Sequence, residues 1–422
     1  MLPRREVTTA MVGLCSALFA ANVLAQTTNT RVPPAAAPIS ARDAAVTSAL
    51  LVTTVTPVTP VTSSAPIVAD NAPSQASHDN PDVAVVAPSP GPERLDVGAA
   101  VNSQDGLIGS AYFGKNNLIP GIYTFATVRY ARQAQIAQVG MFKPNAFGHG
   151  IDAGVDINFL RDAYKDQGFD TTTYGVEPYV RFPIGHTGVL TTGVGYRVQT
   201  LDAFAADAPL SFREDAGTRS GLYLRLSSSF DKFVETDRLT LSATLDNHLY
   251  NLTSKSDALW QSEGRLHSTF AIVPNQVSLL NTVRIGAMGA LGGASPSVAD
   301  RFFIGGEDLR GFAPRRVGTR DGSYFAGGER YATASVDVVK KMGVVLNTPV
   351  SVGVFADMGA LWGAHTSLDT ANNAHPSVRA SIGIAVTFSV AGIPVSAYIA
   401  KPVVKAENDV DQIVGVAVST RF

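Results

Sequence analysis

Three charged residues far apart in the chain have the types and the parity to build one charge-assisted cluster: Arg310, Asp337 and Asp357. Asp337 falls in Thr333-Ala334-Ser335-Val336-Asp337-Val338, in phase with Thr333 and Ser335. Asp357 falls in Val352-Gly353-Val354-Phe355-Ala356-Asp357, in phase with Ser351 and Gly353. Alternate residues of a strand share a face, so both acids belong to the small, polar side of their strands. A hairpin turning near Asn347 sets positions 337 and 357 roughly opposite one another, where like charges repel. A cation is needed between them. Arg310 suits the task, because a guanidinium offers five donors in a planar fork that two carboxylates can share. It lies in Phe302-Phe303-Ile304-Gly305-Gly306-Glu307-Asp308-Leu309-Arg310-Gly311-Phe312, where Gly305 and Gly306 mark a turn inside the longest gap between predicted strands. Loops this long usually carry function. The chemistry on offer is that of a lock for a loop; the plainer alternative is a set of charges that keeps a polar lumen wet.

Groups for bond-making chemistry are not arranged for it. The seven histidines, His78, His149, His186, His248, His267, His365 and His375, are scattered, and none forms a His-x-x-x-His pair that would hold zinc. No serine sits in a Gly-x-Ser-x-Gly elbow. His248 beside Asp246 reads as two polar residues on one strand face, and Gly286 to Gly293 follows a strand without opening a helix, so it is no phosphate loop. The expectation is therefore no enzyme, no cofactor and no metal. A formal net charge of −2 leaves no basic field for nucleic acid.

The elements that would position the cluster follow from texture. Arg4 and Arg5 precede an apolar run from Ala10 to Ala21 that leads into Val23-Leu24-Ala25, the pattern of a secretory signal peptide over residues 1–25. The run falls short of the ~20 residues a membrane helix needs. Cys15, the only cysteine, lies inside it, so the mature chain has neither a disulfide nor a thiolate metal site. Residues 26–93 are rich in Ala, Val, Thr and Pro, as in Val55-Thr56-Pro57-Val58-Thr59-Pro60, and read as an extended, disordered linker. Deleting that linker should leave the downstream domain able to fold. Partial proteolysis checks this: a resistant fragment should begin near residue 94, and one beginning well before about residue 90 would count against it.

From residue 94 to 422 short runs alternate apolar and polar residues. Leu190, Val194, Tyr196 and Val198 alternate with Thr191, Gly193, Gly195 and Arg197; Leu222, Leu224 and Leu226 with Tyr223, Arg225 and Ser227; Ile382, Ile384 and Val386 with Ser381, Gly383 and Ala385. A soluble sandwich would crowd bulk on its inner face, whereas here the polar face is small and carries arginine, as a wet lumen requires. No mature stretch is apolar for 18 residues, so membrane insertion would need a closed barrel, the other structure that satisfies every backbone group in lipid. The last run sets Val414, Val416, Val418 and the terminal Phe422 on one face, as outer-membrane barrels end. The fold expected is an all-β transmembrane antiparallel barrel of about sixteen strands.

The order Gly-Gly, Leu-Arg-Gly-Phe, luminal acid, then Phe-x-Asp-x-Gly resembles the bacterial surface antigen barrel of the BamA/TamA family of outer-membrane assembly factors. Arg379-Ala380-Ser381-Ile382-Gly383, the Gly392-Ile393-Pro394 turn and Ala400-Lys401-Pro402 are similar to its last hairpin, and Asn116, Leu118 and Gly121 to its first. The resemblance implies a long loop folded into the barrel, its arginine (Arg310) tied to acids on the next two strands (Asp337, usually Glu, and Asp357). It also implies location in the outer membrane of a Gram-negative bacterium, contact with outer-membrane lipid, and a role in inserting or translocating proteins. Unfolded outer-membrane proteins or periplasmic accessory proteins would be its partners. The chain departs from the family in three respects. Residues 26–93 do not read as a POTRA domain, Glu235-Thr236-Asp237-Arg238 replaces a Pro-x-x-Gly hairpin, and Ser419 replaces a glycine that kinks the last strand. A stand-alone pore or structural surface barrel, and more remotely a barrel enzyme, are the alternatives.

Overall fold

A computed structural model describes residues 93–103, 105–163, 167–253, 257–291, 295–345, 348–364, 366, 376–390 and 393–421. The signal peptide, nearly all of the linker, the turn residue Asn347 and the terminal Phe422 lie outside them.

Among the described residues twenty strands form, and sixteen of them close a barrel. Its wall runs β1 (Arg94–Asn102), β2 (Gly106–Ile119), β3 (Ile122–Ala131), β4 (Ala134–Lys143), β5 (Asp152–Asp162), β6 (Asp170–Ile184), β7 (Gly188–Asp202), β8 (Gly217–Glu235), β9 (Leu239–Tyr250), β10 (Leu259–Val273) and β11 (Val277–Ala290). It continues with β15 (Arg330–Val345), β16 (Thr348–Trp362), β17 (Ser377–Val390), β18 (Ile393–Val404) and β20 (Val414–Arg421), which returns to β1. Every wall strand is antiparallel to its neighbours, so connections alternate between the two ends, and the 203–216 and 291–329 segments lie at the same one. The seam pairs Gly98 with Arg421 through Asn102 with Ala417.

Alternation sorts the side chains as expected. Val194, Tyr196, Leu222, Leu224, Leu226, Ile382 and Ile384 are exposed, while Arg197, Gln199, Arg225, Thr333, Asp357 and Ser381 are buried. A surface of exposed aliphatic residues around a polar interior inverts the arrangement of a soluble protein and suits a barrel wetted outside by lipid. Among the described residues no helix is long and apolar enough to cross a membrane.

Residues 291–329 form the long loop between β11 and β15 and hold β12 (Gly311–Phe312), β13 (Arg320–Asp321) and β14 (Tyr324–Phe325). β13 pairs with β14, and β12 pairs with β19 (Asp411–Gln412), just ahead of the last wall strand. At the long-loop end this loop meets the 203–216 segment, which carries the one-turn helix α1 (Leu210–Arg213). Phe169, Leu201, Phe212, Val298, Phe303 and Phe325 pack there into a small core. A second aromatic group, Tyr123, Phe125, Phe142 and Tyr179, fills the lumen beside the β2–β6 wall.

The register corrects one expectation. Asp337 faces Phe355 and Asp357 faces Ser335, so the two acids are diagonal neighbours rather than opposite partners. The shift is two residues: the turn end pairs Val345 with Thr348, one residue short of a hairpin centred on Asn347, and a bulge between Lys341 and Gly343 takes up one more. Both side chains still share the lumen face, because the alternation has period two.

Candidate functional site

Arg310 is carried into the lumen by the long loop and grips both acids. Its Nη1 and Nη2 donate to Asp337 Oδ1 and Oδ2 at 2.8 and 3.0 Å, and its Nε and Nη2 donate to Asp357 Oδ2 and Oδ1 at 2.8 and 2.7 Å. The Arg310 backbone N–H adds a bond to Asp357 Oδ2 at 3.0 Å. The diagonal register leaves Ser335 between the acids, where its Oγ accepts from Nη2 at 2.8 Å and lies within 3.0 Å of Asp337 Oδ2 and 2.8 Å of Asp357 Oδ1. Phe355, opposite Asp337, places its ring 3.5 Å from the guanidinium carbon, a cation–π contact that only a planar cation makes over its whole face. From β17, the Ser381 hydroxyl donates to the Arg310 carbonyl. Burial works against the charged form of Arg310, but the hydrogen bonds from Nε–H and the Nη groups to Asp357 and Asp337, with the charges of those acids, outweigh it. They hold its pKa above the ordinary guanidinium value.

Glycine and aromatic neighbours fix the approach. Gly305 has φ +129°, and a Cβ there would run into the Ala313 carbonyl oxygen; Gly311 has φ +96° and lies against Ser381, Ala400 and Pro402. The Gly306 N–H closes the turn on the Phe312 carbonyl at 2.8 Å. Phe312 is buried with Met288, Phe302, Ile304, Leu309, Val317 and Leu361. The loop is thus seated by a hydrophobic foot beside its charged clamp.

Two further anchors escaped sequence reasoning. Asp300 pairs with Arg197 of β7 at 3.3 Å, both side chains almost wholly buried, with Arg197 also 4.1 Å from the Tyr250 ring centroid. Asp308 pairs with Arg284 of β11. Strand parity puts Arg197 and Arg284 in the lumen, but nothing in the sequence joins them to particular loop acids. The expected closing residues Val414 and Val416 point outward and are exposed, and Val418 stands in register with Val395 and Val101. Among the described residues no group of three or more His, Cys, Asp or Glu could hold a metal ion.

A closed antiparallel barrel with an apolar exterior and a loop clamped in its lumen is an integral outer-membrane barrel. Residues 112–422 match the Omp85 superfamily domain, and the chain belongs to that superfamily. Among curated proteins, the SAM50-like protein of Schizosaccharomyces pombe is 37% identical over 87 residues, which is 20% of this chain and 18% of that protein. Among solved structures, BamA from Haemophilus ducreyi lacking POTRA domains 1–3 is similar in fold, with a TM-score of 0.68 at 17% identity, covering 78% of this chain and 70% of that one. CdiB from Escherichia coli has a TM-score of 0.52 at 11% identity, covering 80% of this chain and 64% of that one.

Proposed function

We propose that this barrel inserts or translocates polypeptides at the outer membrane of a Gram-negative bacterium, which it reaches by means of an N-terminal signal peptide. In this reading its partners are outer-membrane lipid and unfolded outer-membrane proteins brought by periplasmic accessory proteins, and it performs no bond-making chemistry. The observation that carries the reading is the contrast between a filled lumen and a thin seam. The described part of the 291–329 loop occupies the interior on one buried and two half-buried ion pairs, whereas among the described residues β1 and β20 share five register pairs, against eight or more in every other ladder of the wall apart from β18–β20. A passive pore would keep its lumen open and its wall uniform. A barrel that works through its wall has reason to do the reverse.

Depletion of the protein, followed by quantification of the outer-membrane proteome, tests this. Other β-barrel proteins should fall selectively, and the purified barrel should show little steady conductance in planar bilayers. An unchanged proteome together with a steady open conductance would favour the pore.

A further inference from the structure

The last wall strand is held from outside its own ladders. Upstream of β20, residues 409–413 run antiparallel to the long loop: Val410 N–H donates to the Arg316 carbonyl at 3.2 Å, Ala313 N–H donates to the Val410 carbonyl at 2.8 Å, and Phe312 and Gly311 stand in register with Asp411 and Gln412. At the head of this ribbon sits Asp409, whose side chain is fully buried. Its Oδ2 accepts from Arg379 Nε of β17 at 2.8 Å and from the Ala406 N–H at 2.8 Å. Its Oδ1 accepts from Arg379 Nη2 and from the Gly318 N–H, both at 3.2 Å. One carboxylate therefore joins the barrel wall, the long loop and the segment that becomes β20. Arg379 is itself fixed, because its Nη1 donates to the Ser377 carbonyl at 2.6 Å.

Beyond this node β20 is sparsely held. Among the described residues it shares five register pairs with β18 (Val414 to Val418) and five with β1 (Ala417 to Arg421), overlapping at Ala417 and Val418. Over Val414 to Val416 side chains stand in for a backbone ladder to β1: Ser103 Oγ, just past β1, accepts from the Val416 N–H at 3.0 Å, and Gln412 Nε2 of β19 donates to the Val414 carbonyl at 3.2 Å. The start of β20 thus depends on where residues 409–413 are held: the seated loop takes Val410 to Gln412, and β18 takes Ile413 through the Ala400 N–H at 2.7 Å. We propose that Asp409 is the clasp that transmits seating of the 291–329 loop to the last strand, so that unseating the loop frees the long-loop end of the seam. Asp409 acts as a positioning residue.

Hydrogen exchange followed by mass spectrometry on the full chain, folded in lipid vesicles, tests the clasp. Asp409→Asn, Asp409→Ala and Arg379→Gln should each speed exchange over residues 411–418 about tenfold while peptides from β5 to β7 exchange as in the parent. Arg310→Ala, which unseats the loop from its other end, should move the same peptides. Exchange over 411–418 within about twofold of the parent in a folded Asp409 variant would overturn the proposal, as would acceleration spread evenly around the wall. Should the aspartate variants fail to fold, a cysteine pair at Ala313 and Val410 decides the matter in an otherwise unaltered clasp. The oxidised form should protect 414–418 beyond the reduced form, and equal exchange in the two forms would sink the coupling. The inference uses the seam of the proposed function, but its readout is the strand itself, so it fails or holds whether or not polypeptides pass there.

Discussion

Arg310→Ala should leave the sixteen-strand wall folded and open the centre of the long loop to trypsin, which would then cut at Arg315 and Arg316. The guanidinium donates to both carboxylates through paired bonds and bridges Ser335 as well. Removing it leaves Asp337 and Asp357 as diagonal neighbours without their shared cation, in a site where Asp357 has almost no solvent. Stranding one side of a buried ion pair typically costs roughly 3–5 kcal/mol, enough to shift a loop from fixed to largely released. Arg310→Lys should behave like alanine in this assay, because an ammonium is a point donor that can serve one carboxylate but cannot fork between two or lie flat on Phe355. Asp337→Asn should cost less, since Arg310 keeps Asp357 and all three of its bonds there. Release should stay local. Arg197–Asp300 and Arg284–Asp308 still hold the loop on the β7 and β11 sides, so adding Asp308→Asn should extend cleavage toward residue 300. If Arg310→Ala and Arg310→Lys both leave the 291–329 loop as resistant as in the parent, the lock does not exist.

Much of this was legible in the sequence because a barrel wall is written locally. The period-two alternation of Leu222, Leu224 and Leu226 against Tyr223, Arg225 and Ser227 assigns inside and outside strand by strand. Parity alone put Asp337 and Asp357 in the lumen, and a forked donor was the natural partner for them. The diagonal register was not legible, because it depends on a turn end that pairs Val345 with Thr348 and on a one-residue bulge between Lys341 and Gly343, neither of which a composition rule places. Nor were Asp300, Asp308 and Asp409 readable as anchors. Each meets an arginine 24 to 103 positions away, and those meetings depend on how the loops fold over one another. Loop acids carry no periodicity that would point them to a wall strand. What can be recovered from sequence is therefore the lumen side of each contact, Arg197, Arg284 and Arg379 among polar-face residues, without its partner.

A disulfide across the seam should abolish function while leaving the barrel folded. Val101 and Val418 are register partners on β1 and β20, and directly opposed residues of an antiparallel pair have Cα atoms about 4.5–5.5 Å apart, within reach of a disulfide. The described residues contain no cysteine, so cysteines at these two positions would have no competing thiol there. Parting β1 from β20 exposes backbone N–H and C=O groups to lipid at several kcal/mol each, and the five register pairs among the described residues keep that barrier lower than at the nine of β1–β2. A covalent bond makes it insurmountable. Oxidised protein should therefore lose at least about tenfold in the insertion of a substrate barrel into vesicles and recover on reduction, because a tenfold loss requires only about 1.4 kcal/mol of added opening cost. A pair at Ala111 and Val128, partners across β2 and β3, serves as the control, and its oxidation should change nothing. Heat-dependent gel migration shows whether each form is folded. The decisive contrast is between the two pairs: if the seam disulfide forms fully and insertion continues at the reduced rate, the wall does not open there, and the barrel works, if at all, through its lumen.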